Sequence, residues 1–216
     1  MKKLMIVLAP LVMLLASCGM SQEEKLRYSA KSGNAAEALF GESAITLPTA
    51  LNLNTISPVD SFTVPALKKS FDPKELINES GGIANFYIFS SFQKILDDFK
   101  PVMLDTYPMN IKIWETVKST TDLEIFAQIR TEPMSETEFV KLFVYLISKQ
   151  PNGEPGKLLT SGYANIFHVR TSSGASVALY AGWGSVSERW YVHARGLDSW
   201  DGGERVFSRG NEPLDS

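Results

Sequence analysis

The segment MNIKIWETVKSTTDLEIFAQIR, residues 109–130, followed four residues later by SETEFVKLFVYLISKQ, residues 135–150, decides the fold. In the first, Met109, Ile111 and Ile113 alternate with Asn110, Lys112 and Trp114. Beyond Ser119-Thr120-Thr121-Asp122, Leu123, Ile125, Ala127 and Ile129 alternate with Glu124, Phe126, Gln128 and Arg130. Successive side chains of a strand point to opposite faces, so this period of two predicts a β-hairpin with one core-facing side. In the second segment the period changes. Phe139, Leu142, Phe143, Leu146 and Ile147 recur at spacings of three and four, the stripe of an amphipathic helix. Ser135 stands three residues before Glu138, as in a capping box, and Gln150-Pro151-Asn152-Gly153 closes the run.

Downstream, the turn Glu154-Pro155-Gly156 leads to three runs that read as strands: 163–170, 175–182 and 189–195. Ser172-Ser173-Gly174 and Gly184-Ser185 link them as a meander. A loop from Gly196 to Gly203 precedes a last short strand around Arg205-Val206-Phe207. Upstream, Pro48, Pro58, Pro65 and Pro73 are too closely spaced for long helices or central strands. Residues 44–82 are therefore expected to wrap the domain in extended form. One short helix is expected near Pro73 to Asn78, with Asp72 as N-cap and Pro73 at its first position. Ser80-Gly81-Gly82 forces a turn. From Ile83 to Phe99, the spacing of Phe86, Phe89, Gln93, Leu96 and Phe99 approximates a helix, although Phe86-Tyr87-Ile88-Phe89 is β-prone; the reading adopted is a helix ending before Pro101. Together these elements predict an α+β domain: an antiparallel sheet, hairpin plus C-terminal meander, with two or three helices packed on one face.

The first twenty residues carry a different message. Lys2 and Lys3 precede an apolar run from Leu4 to Ala16, 13 residues long. A membrane-spanning helix needs ~20 such residues, and Pro10 interrupts this one, so the segment reads as a secretory signal. Leu15-Ala16-Ser17-Cys18 at its end resembles the lipobox of bacterial lipoproteins, with an aliphatic residue, two small residues and then cysteine. The resemblance implies cleavage before Cys18 and diacylglycerol on its sulfur, often with acylation, such as palmitate, of the new amino group. It covers the first eighteen residues and is silent on the fold behind them. Gly19, where an aspartate would favour inner-membrane retention, implies the outer membrane, facing the periplasm, if the source has one. The expected organisation is a signal peptide over 1–17, a lipidated N-terminus and polar tether over 18–43, and one globular domain over 44–216. Within the tether, Ser21 with Glu24 and Asn34 with Glu37 resemble helix N-caps, and Gly41 marks an end.

Removal of residues 1–17 leaves 199 residues with 19 basic and 24 acidic side chains, a net charge of −5. With that net charge the chain has no electrostatic reason to bind nucleic acid or to cling to an anionic membrane by charge. Cys18 is the only cysteine, so no intramolecular disulfide forms and stability must come from the core. With 12 Phe, 7 Tyr and 4 Trp, the chain has the apolar payload for a core.

Catalytic signatures are sparse. Ser91-Phe92-Gln93-Lys94 matches S-x-x-K, but its partner motifs are absent; Lys31-Ser32-Gly33 lies upstream, so the match reads as chance. Only His168 and His193 are present, in no metal-binding spacing, and no metal or cofactor is expected. Asp198, Asp201 and Glu204 gather in a glycine-containing loop without the ligand spacing of a calcium loop. That loop reads as a solvated turn with Trp200 tucked onto the core. In the strand Arg189–Arg195, alternation places Trp190, Val192 and Ala194 on one face and Arg189, Tyr191, His193 and Arg195 on the other. His168 and Arg170 from a nearby strand could extend this second face. Cationic and aromatic side chains on one sheet face suit an anionic ligand, a glycan or a protein, while the same alternation also describes a plain solvent face. The functional expectation is a lipid-anchored cell-envelope protein with a non-catalytic binding or scaffolding domain and an envelope protein or glycan as partner. The alternative is an envelope hydrolase that acts on cell-wall glycan or peptide through carboxylates.

Overall fold

The computed structural model describes residues 54–105 and 107–210; the signal peptide, Cys18 and the tether lie outside the described residues. In chain order the elements are β1 (Ile56–Val64), α1 (Pro73–Leu76), β2 (Phe86–Ile88), α2 (Ser90–Asp98), β3 (Met109–Thr116), β4 (Thr120–Thr121) and α3 (Asp122–Ile129). They continue with β5 (Met134–Ser135), α4 (Glu136–Lys149), β6 (Asn165–Arg170), β7 (Ser176–Gly184), β8 (Arg189–Arg195), β9 (Ser199–Trp200) and β10 (Arg205–Arg209). A large open sheet, not a closed barrel, runs β1-β3-β10-β6-β7-β8-β2. Most pairings are antiparallel; β10 and β5 meet β6, and β2 meets β8, in parallel. The fold is α+β, as the sequence pattern predicts.

Helix α4 forms where the apolar stripe requires it. Ser135 Oγ accepts the Glu138 N–H at 3.3 Å, and the Glu138 carboxylate accepts the Ser135 N–H at 2.7 Å. Phe139, Leu142, Phe143, Leu146 and Ile147 are buried against Ile113, Phe167, Leu179, Trp190 and Phe207 of the sheet. The helix stops at Gln150, whose carbonyl accepts the Trp190 indole N–H at 3.0 Å. Gly153 then adopts φ +71°, and a Cβ there would sit 2.2 Å from the Trp183 indole. The turn and the indole thus require glycine for two independent reasons. Helix α1 also follows expectation: Asp72 caps it by accepting the Lys74 N–H at 3.0 Å, and Pro73 opens it.

Three expectations need correction. Residues 123–130 are not the second arm of a hairpin; 123–129 belong to α3, Arg130 is its left-handed C-cap, and β3 pairs with β1 and β10 instead. Thr121 and Glu124 form a reciprocal capping box at the start of α3, and the buried residues are Asp122, Ile125 and Ile129, a helical spacing. Leu123 is 58% exposed, so the apparent alternation was incidental to the packing. Residues 83–99 divide into strand β2 and helix α2, so both signals in that stretch are real and occur in succession. Finally, one helix stands apart from the two or three expected on one face. Ile125 and Ile129 of α3 cluster with Ile166, Ala178, Trp200 and Val206, whereas α2 and α4 join Phe167, Leu179 and Phe207, the alternate residues of the same strands.

Candidate functional site

Strand β8 alternates as expected. Trp190, Val192 and Ala194 are buried, and Arg189, Tyr191, His193 and Arg195 are partly exposed on the opposite face. Antiparallel pairing places Tyr180 of β7 directly across from His193, and parallel pairing places Tyr87 of β2 across from Tyr191. Gly182 opposes Tyr191, and Gly184 opposes Arg189. A Cβ on Gly184 would fall 2.5 Å from the Tyr191 ring, so that glycine lets the tyrosine fold back and donate to Ser187 Oγ at 3.0 Å.

The result is a continuous strip of rings across three strands. Tyr87 packs on Tyr191 at 5.4 Å between centroids and edge-on against Phe89 at 4.9 Å. His193 is stacked between Phe89 and Tyr180, lying parallel to the latter at 5.0 Å. Tyr180 meets Trp200 edge-on at 5.4 Å, and the Arg195 guanidinium lies 3.7 Å above the Trp200 ring centre. Arg195 is held there by donating to the Ser199 carbonyl at 2.7 Å, with Asp198 at 3.6 Å. Burial, and then the positive charge of Arg195, lower the His193 pKa below its ordinary value, so the imidazole is neutral at pH 7. Burial raises the Tyr180 phenol. The strip therefore carries one fixed cation among neutral aromatic groups.

Of the six residues singled out in the sequence for this face, Tyr191, His193 and Arg195 form one row, with Arg189 at its end. His168 and Arg170 do not join them. Arg170 is exposed and pairs with Glu132. His168 shares the face but is buried beneath α3, with the Phe126 ring 4.5 Å away and its Nε2 2.5 Å from Asp122 Oδ1. Asp122 was not among the candidates, yet it is a hub. It is fully buried, accepts the Trp200 indole N–H at 2.6 Å and the Asp198 N–H at 2.7 Å, and its own N–H donates to the Asp198 carbonyl. Burial pushes its carboxyl upward; the His168 hydrogen bond and charge, with the other donors, outweigh this and hold it below the usual range. A cavity of only about 10 Å³ adjoins His168, no more than the space of one water, and Asp122 works as a fastener that ties α3 to His168 of β6 and to Asp198 and Trp200 of the 196–203 loop.

Not every polar atom around the site is matched: the buried Nε atoms of Arg189, Arg195 and Arg205 have no hydrogen-bond partner among the described residues. Glu204 accepts the Ala164 N–H, and burial, with Asp201 nearby, raises its carboxyl above the usual range. Among the described residues no three His, Cys, Asp or Glu side chains are grouped to hold a metal ion. Trp200 is buried, as expected, but it lies in the two-residue strand β9, paired with β4, and not in a turn. Ser91 Oγ accepts the Ala194 N–H at 3.3 Å, a structural role for the serine of the S-x-x-K match. At the bulge between Pro58 and Asp60 in β1, a cleft of about 370 Å³ is bordered by Asp60, Ile113, Lys157 and Arg205. There Lys157 pairs with Asp60, and Arg205 donates to the Lys157 carbonyl at 2.6 Å.

No protein-family model, curated protein or solved structure matches this chain. Its chemistry must be read from its own surfaces. The ring strip can bury flat apolar area against a partner and offer one guanidinium for a carboxylate or carbonyl, which is the equipment of a recognition surface.

Proposed function

We propose that this chain is a lipid-anchored cell-envelope protein whose domain captures an envelope protein through the strip formed by Tyr87, Phe89, Tyr191, His193, Tyr180 and Arg195. The anchor reading is supported by the Leu15-Ala16-Ser17-Cys18 stretch at the end of a short apolar signal. The capture reading is carried by one observation: the strip stays partly exposed although its rings are already ordered against one another and Arg195 is fixed over Trp200. Tyrosine, tryptophan and arginine dominate the energetics of protein interfaces, and groups that are rigid before binding lose little entropy on association. The anchored membrane is the outer one, periplasmic face, in a Gram-negative source.

Two measurements test this reading. Mass spectrometry of the mature protein is expected to find Cys18 as the N-terminal residue, bearing diacylglycerol; an unmodified Cys18 overturns the anchor. A photo-crosslinker at position 87 is expected to trap one envelope protein, and Arg195→Ala is expected to abolish that crosslink while the melting curve stays within a few degrees of the parent. If the crosslinker traps no protein and the domain instead co-sediments with cell-wall glycan, the strip is a glycan platform. If strip substitutions alter neither, the face is plain solvent surface.

A further inference from the structure

Among the described residues, the largest group of exposed apolar side chains in one short segment lies away from the strip, in the loop between α2 and β3. Met103 is 70% exposed, Leu104 59% and Tyr107 74%. This loop is held open from beneath. Lys141, in the middle of α4 and only 5% exposed, sends its ammonium to Asp105 at 2.7 Å and to the Tyr107 carbonyl at 2.7 Å. Asp105 in turn accepts the Leu67 N–H at 3.2 Å, and Phe71 and Val102 exchange two backbone hydrogen bonds at 3.0 and 2.8 Å. Residues 67–71 and 102–105 therefore run side by side. That pairing brings exposed Lys68 and Lys69 next to Met103 and Leu104, with exposed Lys100 on the approach to the loop. No ion pair with another described residue engages these three lysines, and Asp105 is already neutralised by Lys141.

Exposed methionine, leucine and tyrosine interleaved with lysine is the composition of a surface that enters the headgroup region of a bilayer. The apolar tips leave water, and the ammonium groups meet lipid phosphates. We propose that Lys68, Lys69 and Lys100 with Met103, Leu104 and Tyr107 form a membrane-contact face that docks the domain on an anionic lipid surface. This rests on the lipid-anchored reading above and adds an orientation to it. The positive patch is local: it exists on a chain of net charge −5 once the signal is removed. Contact therefore depends on this face being turned to the lipid.

The test uses the mature chain with Cys18→Ala, which removes the lipid and the only thiol, and introduces Leu104→Cys or, as a control, Val186→Cys for an environment-sensitive fluorophore. Val186 is fully exposed, at a turn in another part of the sheet. With vesicles of phosphatidylglycerol and phosphatidylethanolamine, the label at 104 is expected to shift to the blue and the label at 186 to stay unchanged. Vesicles of phosphatidylcholine alone are expected to bind at least tenfold more weakly, since each lysine near an anionic surface contributes about fivefold. Lys68→Glu with Lys69→Glu is expected to remove the shift. No shift at 104 with anionic vesicles overturns the proposal, as does an equal shift at 186. A blue label at 104 before vesicles are added, with no further change on their addition, shows that the face is already covered by protein and overturns it too. Mass spectrometry of Cys18 in the native chain reports separately on the anchor, so failure of either reading is recognised on its own.

Discussion

At the scale of single residues, Asp122 joins three segments that are far apart in the chain. A carboxylate with no solvent exposure is tolerable only when its lone pairs are taken, and here the imidazole of His168, the Trp200 indole and a backbone N–H take them. Removing one partner of such a buried pair costs about 3–5 kcal/mol, so Asp122→Ala is expected to lose that much in urea unfolding. The acid dependence follows from its depressed pKa. A carboxyl that titrates lower in the folded than in the unfolded chain contributes stability above its unfolded value, and this contribution vanishes as pH falls through the folded value. Unfolding midpoints measured from pH 7 downward are expected to drop below about pH 4, the unfolded carboxyl value. In Asp122→Asn that component of the drop is expected to be absent. The residue was not visible as a hub because nothing near it in sequence is its partner: His168 and Trp200 lie 46 and 78 positions away.

At the scale of elements, the outcome turns on which periodicity a short segment obeys. Leu123, Ile125, Ala127 and Ile129 fit a strand on paper, yet Thr121 and Glu124 form the same capping pattern that correctly marks α4 at Ser135 and Glu138. The cap was the better witness, because it satisfies otherwise unpaired N–H groups of a helix and has no equivalent use in a strand. The strand and helix readings differ in their mutational consequences. As part of α3, Leu123→Ser is expected to change stability by no more than ~0.5 kcal/mol, since the side chain is largely exposed. Ile125→Ala, two positions on and fully buried, is expected to cost about 2–5 kcal/mol. Equal losses at the two positions in chemical denaturation would contradict α3. The two caps provide a matched pair: Thr121→Ala and Ser135→Ala are each expected to cost ~1 kcal/mol with the fold retained. Elements with a long consistent stripe or a clear alternation, α4 and β6 to β8, were legible in the sequence. The row Tyr191, His193 and Arg195 followed from β8 alone. Its neighbour on one side, β7, followed from the expected meander; that β2 flanks it on the other side was not legible, because β2 reaches β8 by a parallel pairing about a hundred residues apart, and that register leaves no local pattern.

At the scale of the whole molecule, the problem is how an open sheet stays single and stable without a disulfide. The two outer strands are poor templates for further pairing: β1 carries Pro58 and a bulge, and β2 is three residues long. Both faces of the sheet are used, α2 and α4 covering one and α3 with the 196–203 loop covering part of the other. The two apolar clusters are built from alternate residues of the same strands, Ile166 against Phe167, Ala178 against Leu179, and Val206 against Phe207. Neither cluster can lose its strands while the other keeps them, so the domain should unfold as one unit. Trp190 and Ile129 test this from opposite sides. Trp190 is fully buried, bonded to the end of α4 and packed on Trp183, and Trp190→Ala is expected to cost about 3–5 kcal/mol. Ile129→Ala removes a side chain from the other cluster, at about 2–5 kcal/mol. Either loss is a large share of the ~5–15 kcal/mol that holds a domain folded. In both variants the far-ultraviolet dichroism and aromatic near-ultraviolet transitions are expected to move down in temperature together. Should Ile129→Ala melt the near-ultraviolet signal well before the far-ultraviolet one, the α3 face is a separate layer and the shared-strand account fails.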